Sequence, residues 1–421
     1  MLKCGLLGEK LGHSYSPEIH ALLGDYEYEL YEKTPAETEV FLRHGDFDGL
    51  NVTIPYKKTA AALCDVQSPA ARKLGSVNTI AVRTDENGRR VLYGGNTDYD
   101  GFLALVRKSR VRVDGCKCLV LGSGGSSVTV QAVLKDLGAG EVTVISRSGT
   151  DNYDNLQKHE DARILVNTTP VGMYPGNGQK PLDLGQFKAL QAVFDIIYNP
   201  ARTALMMQAE ELGIPSFGGL YMLVAQAEAA SRIFTADDPA HPASDPLQFA
   251  AKIQAIYEFL VGRQQNIVLT GMPGCGKTAV AKSLSERTGR PVYDSDEEIV
   301  KRAGKSIPGI FAEDGEEAFR ALETEVLADL GKMSGAIVST GGGCVTRPEN
   351  YPLLHQNGRI VWIQRDVSLL EKEGRPLSTA QDINEIYVNR QPLYEAFSDF
   401  AVINDSTPEV CAALICKELE R

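Results

Sequence analysis

Short apolar runs separated by polar stretches of helical length recur along the chain, and they fall into three groups. In the first, Cys4 to Leu7, Leu50 to Ile54 and Thr79 to Val82 alternate with polar helical stretches up to about residue 101, the βα rhythm of a small open sheet. The rhythm restarts over 102–234 with the run Lys117 to Leu121, a Gly-rich turn, a helix to Leu137 and a strand from Glu141 to Ser146. Ala236 to Pro246 is rich in Pro, Ala and Asp and poor in large apolar residues, so it reads as a surface loop or linker. A helical pattern from Phe249 to Leu260 follows; it either docks back on the first group, completing it, or only spaces the modules. With the linker and this helix taken as 235–262, the third group is 263–421, an ordinary single-domain size. No internal repeat or heptad pattern appears.

A chain of 421 residues with 43% hydrophobic content exceeds one ordinary core and fits two or three domains. The 43 Lys and Arg against 55 Asp and Glu give a formal net charge of -12, with no basic run of the kind that tracks a phosphate backbone, so no nucleic-acid partner is expected. Eight Cys occur without a CxxC pair, and Cys4, Cys64, Cys275 and Cys344 sit in apolar or Gly-rich surroundings that suit reduced thiols and a cytoplasmic location. The start MLKCGLLG lacks the basic and long apolar regions of a targeting signal, and no stretch approaches the roughly 18 apolar residues that would cross a bilayer.

In the third group an apolar run, Ile267 to Leu269, feeds Gly271-Met272-Pro273-Gly274-Cys275-Gly276-Lys277-Thr278, the GxxxxGK-Ser/Thr pattern between a strand and a helix. Glycines let backbone amides converge on phosphate oxygens, the helix start adds its positive end, Lys277 reaches the transferring phosphate and Thr278 offers a hydroxyl to Mg²⁺. Three further features narrow the class to a compact kinase with a small anionic substrate. A strand ending in Asp294-Ser295-Asp296 offers one carboxylate to the metal and another to a substrate hydroxyl, although an acidic pair there is also a common helix cap. Arg320, in Phe319-Arg320-Ala321-Leu322-Glu323, suits a substrate carboxylate as well as it suits a surface ion pair. Ile337 to Thr340 leads into Gly341-Gly342-Gly343, where the backbone must approach something closely.

In this order the motifs resemble shikimate kinase, of the nucleoside-monophosphate-kinase-like P-loop fold, over essentially all of residues 265–421. The resemblance implies ATP held by Gly274, Cys275, Gly276, Lys277 and Thr278, a metal site at Thr278 and Asp294, and Asp296 on the substrate ring. It assigns the substrate carboxylate to Arg320 and to Arg390 of Arg390-Gln391-Pro392-Leu393-Tyr394, and puts Gly341, Gly342 and Gly343 in the same pocket. Arg375, before Pro376-Leu377, matches the lid arginine that neutralises charge on the transferring phosphoryl.

In the second group Gly122-Ser123-Gly124-Gly125-Ser126-Ser127 follows the run ending at Leu121 and opens a helix. Glycines there permit a tight turn and close approach of a pyrophosphate to a helix start, as in a Rossmann-like domain. The next strand ends at Ser146-Arg147, a cation where a carboxylate would hold the ribose of NAD, which favours NADP(H). Catalytic candidates from the first group are Lys57, Asn78 and Asp98; lysine can protonate a carbonyl oxygen as hydride arrives, with an Asp to fix it.

Residues 1 to about 262 resemble shikimate dehydrogenase: Ser14-Tyr15-Ser16, NVTIPYK at 51–57, Asn78-Thr79, GGNTD at 94–98 and Asn167-Thr168-Thr169-Pro170-Val171-Gly172-Met173 recur in that family's order. The resemblance implies Lys57 and Asp98 as the catalytic pair, and Ser14, Ser16, Thr53, Asn78 and Gln226 in the substrate pocket. It places Thr168 and the Gly219 backbone at the cofactor. The family's Asn-Arg-Thr cofactor sequence, followed by a second cation, is here Ser146-Arg147-Ser148 and then Asp151, which implies a softer preference for NADP.

Together the two resemblances imply a bifunctional enzyme of aromatic amino-acid biosynthesis. It would reduce 3-dehydroshikimate to shikimate with NADPH, then phosphorylate shikimate with MgATP, and the homo-oligomeric state stays open. Two alternatives remain: the P-loop module as a regulatory ATP sensor, and the front half as a quinate-type dehydrogenase using NAD.

Overall fold

The computed structural model of the chain describes residues 1–12, 14–239, 245–370 and 383–420. Among the described residues sixteen strands form three sheets within two compact units, one made of Met1–Val171, Pro181–Tyr198 and Gln208–Glu258, the other of Gly172–Lys180, Asn199–Met207 and Phe259–Arg421. The class is α/β throughout, as the strand-and-helix rhythm predicts. Part of the 236–246 linker lies outside the described residues.

In the first unit a six-stranded mixed sheet contains β1 (Lys3–Gly8), β2 (Glu27–Glu32), β3 (Gly49–Val52), β4 (Val66–Gln67), β5 (Thr79–Thr84) and β6 (Arg90–Gly95), in the order β2-β1-β3-β5-β6-β4. Strand β1 is parallel to β3, while β5 is antiparallel to both β3 and β6. The C-terminal ends of β1, β3 and β6 and the start of β5 therefore share one edge. A second, all-parallel sheet contains β7 (Lys117–Leu121), β8 (Glu141–Ile145), β9 (Ile164–Asn167), β10 (Ala192–Asp195) and β11 (Ser216–Gly218), in the order β11-β10-β9-β7-β8. Leu119, Val120 and Leu121 are fully buried, the apolar run expected of a parallel strand covered on both faces.

The helices Thr97–Ser109 and Leu220–Thr235 pack along each other. The first buries Thr97, Gly101, Phe102, Leu105 and Val106, the one-sided spacing of an amphipathic helix. Gly101 lets the backbones meet, since a Cβ there would lie 2.7 Å from Met222 O and 3.0 Å from Gln226 Cβ. The helical pattern after the linker is a helix over Pro246–Gln264, and its first half docks on this unit. Lys252 Nζ donates to Leu23 O, the Arg232 guanidinium lies 4.3 Å from the Phe249 ring centroid, and Tyr257 meets Tyr221 edge-on.

In the second unit β12 (Asn266–Thr270), β13 (Val292–Asp294), β14 (Ile337–Ser339), β15 (Gly358–Gln364) and β16 (Phe400–Ile403) form an all-parallel sheet in the order β13-β14-β12-β15-β16. Central β12 is buried along its whole length. The strand order reverses around β12 and its neighbour β14, and ligands of open α/β sheets bind outside the carboxyl ends of the strands at such a point.

Candidate functional sites

At the shared edge of the six-stranded sheet, topology gathers side chains from distant stretches of chain. Ser14 and Ser16 follow β1, with Ser16 N–H donating to Ser14 Oγ at 3.2 Å. Thr53 follows β3, its N–H bonded to Leu7 O, and Lys57 opens the helix Lys57–Leu63. Asp98 comes from the helix after β6, and Lys57 Nζ lies 2.5 Å from its Oδ2. Both side chains are only partly covered, at 24% and 19% exposure, so the pair remains reachable by a ligand. Asn78, next to β5, is buried, and its Oδ1 accepts from Thr97 N–H at 2.7 Å. Gln226 Oε1 accepts from Thr97 Oγ1 at 3.5 Å.

A buried polar network underlies this edge. Tyr28 O–H donates to Asn51 Oδ1 at 2.8 Å, and Asn51 Nδ2 donates to Thr79 Oγ1 at 3.3 Å. Thr79 in turn meets Asn78 and Thr97. Asn51 was not among the residues singled out from the sequence, although it opens the NVTIPYK stretch. Its buried carboxamide, tied on both sides, is the signal that only the fold reveals.

In the parallel sheet the order reverses at β7, between β8 and β9, and the Gly-rich turn leaves the C-terminal end of β7 there. Gly122 has φ +99°. Gly124 and Gly125 have nothing within 4 Å of an added Cβ among the described residues, so the protein's own packing does not demand glycine at these positions; close approach of a ligand backbone or phosphate would. Ser126 and Ser127 lie in the first turn of the helix Gly125–Asp136, and Ser127 is fully buried. Thr168 closes on the turn, its Oγ1 donating to Leu121 O at 2.6 Å. Ser146 N–H bonds Asp151 O in a tight loop after β8, and Arg147 on that loop is exposed. Asp151 pairs with His159 Nε2 at 3.0 Å. Gly219 meets β10's exit segment so closely that a Cβ would lie 2.0 Å from Ile196 O. These residues fit a dinucleotide with a 2′-phosphate.

The P-loop leaves β12 with Gly271, Gly274 and Gly276 at φ +143°, +86° and +94°, a conformation that favours glycine. Lys277 Nζ donates to Gly271 O at 2.8 Å and Met272 O at 3.1 Å, which folds the ammonium over the loop. Buried Cys275 contributes its backbone: its carbonyl accepts from Asn404 Nδ2 at 2.8 Å. Thr278 Oγ1 and Asp294 Oδ2 are 3.4 Å apart. Among the described residues no group of three His, Cys, Asp or Glu could hold a metal by itself. A hydroxyl beside one carboxylate is the donor set that suits Mg²⁺ when phosphates and water complete the shell. Asp294 also caps the next helix, its Oδ1 accepting from Asp296 N–H, while its Oδ2 faces Thr278.

A cavity of about 930 Å³ opens beside the loop. Asp296, Arg320, Arg390 and Gly341 to Gly343 all line it. Arg320 is 5% exposed, which rules out a surface ion pair. Its Nη1 donates to Glu323 Oε2 at 2.8 Å, and Glu316 lies 3.4 Å from Nη2. Burial pushes the Glu323 carboxyl above its ordinary range, and Arg320 pulls it back. Glu323 Oε1 is buried without a hydrogen-bond partner among the described residues, and an added Cβ on Gly341 would lie 2.9 Å from it and 2.8 Å from Asp296 Oδ1. The glycine turn thus passes between the two carboxylates. Arg390 Nη1 and Tyr394 O–H both donate to Gly342 O, at 3.1 and 2.6 Å. Glu323, and Arg365 and Asn404 on the cavity wall, were missed by the sequence reading. Glu323 lay within a quoted motif, three residues after Arg320, the spacing at which helical side chains meet. Arg375 lies outside the described residues.

The first unit thus carries a lysine–carboxylate pair on a sheet edge together with a Rossmann-type cofactor turn, the equipment of a nicotinamide-nucleotide oxidoreductase; the second carries the P-loop and anion-holding arginines of a small-molecule phosphotransferase. Comparison with known proteins agrees. Residues 6–80 match the shikimate dehydrogenase substrate-binding domain, and residues 273–420 match shikimate kinase. The NADP(+) shikimate dehydrogenase of Clostridium perfringens strain 13 is 34% identical over 251 residues, 55% of this chain and 91% of that protein. A chorismate mutase/shikimate 5-dehydrogenase fusion from Clostridium acetobutylicum superposes with a TM-score of 0.54 at 34% identity, covering 61% of this chain and 96% of that one. The Thermus thermophilus shikimate 5-dehydrogenase, solved with NADP(H) and shikimate, gives 0.51 at 31% identity, covering 61% and 100%. The chain belongs to the shikimate dehydrogenase family and carries a shikimate kinase domain behind the dehydrogenase. It is a bifunctional shikimate-pathway enzyme, an oxidoreductase and a kinase on one chain.

Proposed function

We propose that the enzyme reduces 3-dehydroshikimate to shikimate with NADPH and then phosphorylates the 3-hydroxyl of shikimate with MgATP. The observation that carries this reading is the Lys57–Asp98 pair, 2.5 Å apart from positions 41 residues apart in sequence, on an edge that also presents Ser14, Ser16, Thr53, Asn78 and Gln226. When bound, NADPH supplies the hydride and MgATP the phosphoryl group. Lys57 holds a proton at Nζ and hands it to the carbonyl oxygen as the ketone becomes an alcohol, while Asp98 fixes the ammonium. In the kinase, Asp296 accepts the proton of the attacking hydroxyl, Arg320 and Arg390 hold the ring carboxylate, and Lys277 and Arg375 stabilise the transferred phosphoryl. Thr278 and Asp294 would hold Mg²⁺. Arg147 offers its guanidinium to the 2′-phosphate.

We assign residues 1–101 and 102–234 to the substrate and cofactor domains of the dehydrogenase and 263–421 to the kinase. The eight cysteines are free thiols, which supports a cytoplasmic location; among the described residues no helix is long and apolar enough to cross a membrane.

A paired assay on the full chain tests the reading. NADPH oxidation should depend on 3-dehydroshikimate, and ADP release after adding MgATP should appear only once reduction has produced shikimate. Failure of ADP release with added shikimate would leave the P-loop domain as a regulatory ATP-binding module. Faster turnover of quinate with NAD would point instead to a quinate-type dehydrogenase.

A further inference from the structure

Asp195, the last residue of β10, is fully buried and has no part in the reaction described above. Its carboxylate reaches two loops at once. On one side, Asn167 Nδ2 lies 3.1 Å from both of its oxygens. The same carboxamide accepts through Oδ1 from Thr169 N–H at 3.0 Å and from Thr169 Oγ1–H at 2.7 Å. Thr168 and Thr169 cover the Gly122 turn so closely that a Cβ on Gly122 would lie 3.1 Å from Thr168 Oγ1 and 3.0 Å from Thr169 Cγ2. On the other side, Asp195 Oδ1 accepts from Ile197 N–H at 3.1 Å. Ile197 O in turn accepts from Gly219 N–H at 2.9 Å.

We propose that Asp195 is a positioning residue for the nicotinamide cofactor, a single buried carboxylate that sets the register of the 167–169 turn against Gly122 and of the 196–197 segment against Gly219. The inference rests on the reading that these two glycine regions hold NADP(H). Desolvating a carboxylate is costly. An apolar side chain would fill the same space without that cost, but it would orient neither Asn167 nor Ile197. The carboxylate also fixes which way the Asn167 amide points: with Nδ2 on Asp195, Oδ1 is left for Thr169.

The test is NADPH binding, followed by nucleotide fluorescence in the absence of ketone substrate, on the full chain. Asp195→Asn keeps the shape but brings an N–H₂ group against Asn167 Nδ2, so the carboxamide loses its orientation. The Kd for NADPH should rise at least tenfold, and KM for NADPH should rise more than kcat falls. Thr169→Val, which removes one hydroxyl from the outer end of the chain of hydrogen bonds, should raise Kd severalfold without lowering the thermal midpoint. Kinase activity should stay unchanged in both. If wild-type protein binds NADPH and Asp195→Asn binds it within twofold, the inference is wrong. It is also wrong if Asp195→Asn loses binding only in step with its thermal midpoint while Thr169→Val binds as wild type. If Asp195→Asn does not fold, Thr169→Val decides alone: a raised Kd supports the role and an unchanged one overturns it. Wild-type protein that does not bind NADPH at all would remove the underlying cofactor assignment, and the inference with it.

Discussion

His20 lies fully buried in the first unit, stacked on Tyr28 with ring centroids 4.0 Å apart and with Nδ1 2.7 Å from Tyr26 Oη. Burial disfavours its charged form and lowers its pKa from an ordinary 6.5 to about 3, so the imidazole is neutral in the fold. Between these values the unfolded chain binds the extra proton, and stability rises with pH. Acidification from 6.5 towards 3 should therefore cost up to about 1.4 kcal/mol per pH unit. We expect His20→Gln to flatten the pH dependence of the urea midpoint for loss of dehydrogenase activity between pH 6.5 and 4; an unchanged slope would assign the acid sensitivity elsewhere. Nothing in Ser16-Pro17-Glu18-Ile19-His20 distinguishes this histidine from a surface one, because its burial depends on the rings of Tyr26, Tyr28 and Phe234. Glu323 was hidden for a related reason, since only the fold brings Asp296 and Gly341 against it.

At the scale of elements, the Gly341-Gly342-Gly343 turn shows why a strand end needed three glycines. A Cβ on Gly343 would sit 2.3 Å from Arg320 Nη1, so Gly343→Ala should displace the guanidinium. Loss of one charged hydrogen bond to substrate predicts about a 10- to 100-fold rise in KM for shikimate, with KM for ATP within about twofold, read by steady-state kinetics. The sequence showed that something approaches the turn closely; the neighbour proves to be an arginine as well as the cavity. Strand β7 was legible at its observed limits, Lys117–Leu121, because a strand buried on both faces is a continuous apolar run. Strand β2, Glu-Tyr-Glu-Leu-Tyr-Glu, escaped notice because it is a charged edge strand with four exposed positions, and charge on an edge is how sheets discourage further pairing.

For the whole molecule, two chemistries on one chain predict separable losses. Lys57→Ala should reduce ketone reduction about 10²- to 10⁴-fold and leave phosphorylation near wild type. Lys277→Ala should lower phosphorylation by at least about 10²-fold and leave reduction intact. EDTA should stop only the kinase, since Thr278 and Asp294 have no counterpart in the dehydrogenase reaction. Coupled assays of each variant check all three, and loss of both activities in either variant would contradict independent sites. The P-loop and the Rossmann-type turn could be read from sequence because each is a run of consecutive residues. There the backbone freedom of glycine and a following helix start create the anion site locally. The meeting of Lys57 with Asp98, the burial of Arg320 and the two-sided grip of Asp195 were decided only by tertiary structure. Sheet order and helix packing, rather than spacing along the chain, set which strand ends share an edge and which charges leave water.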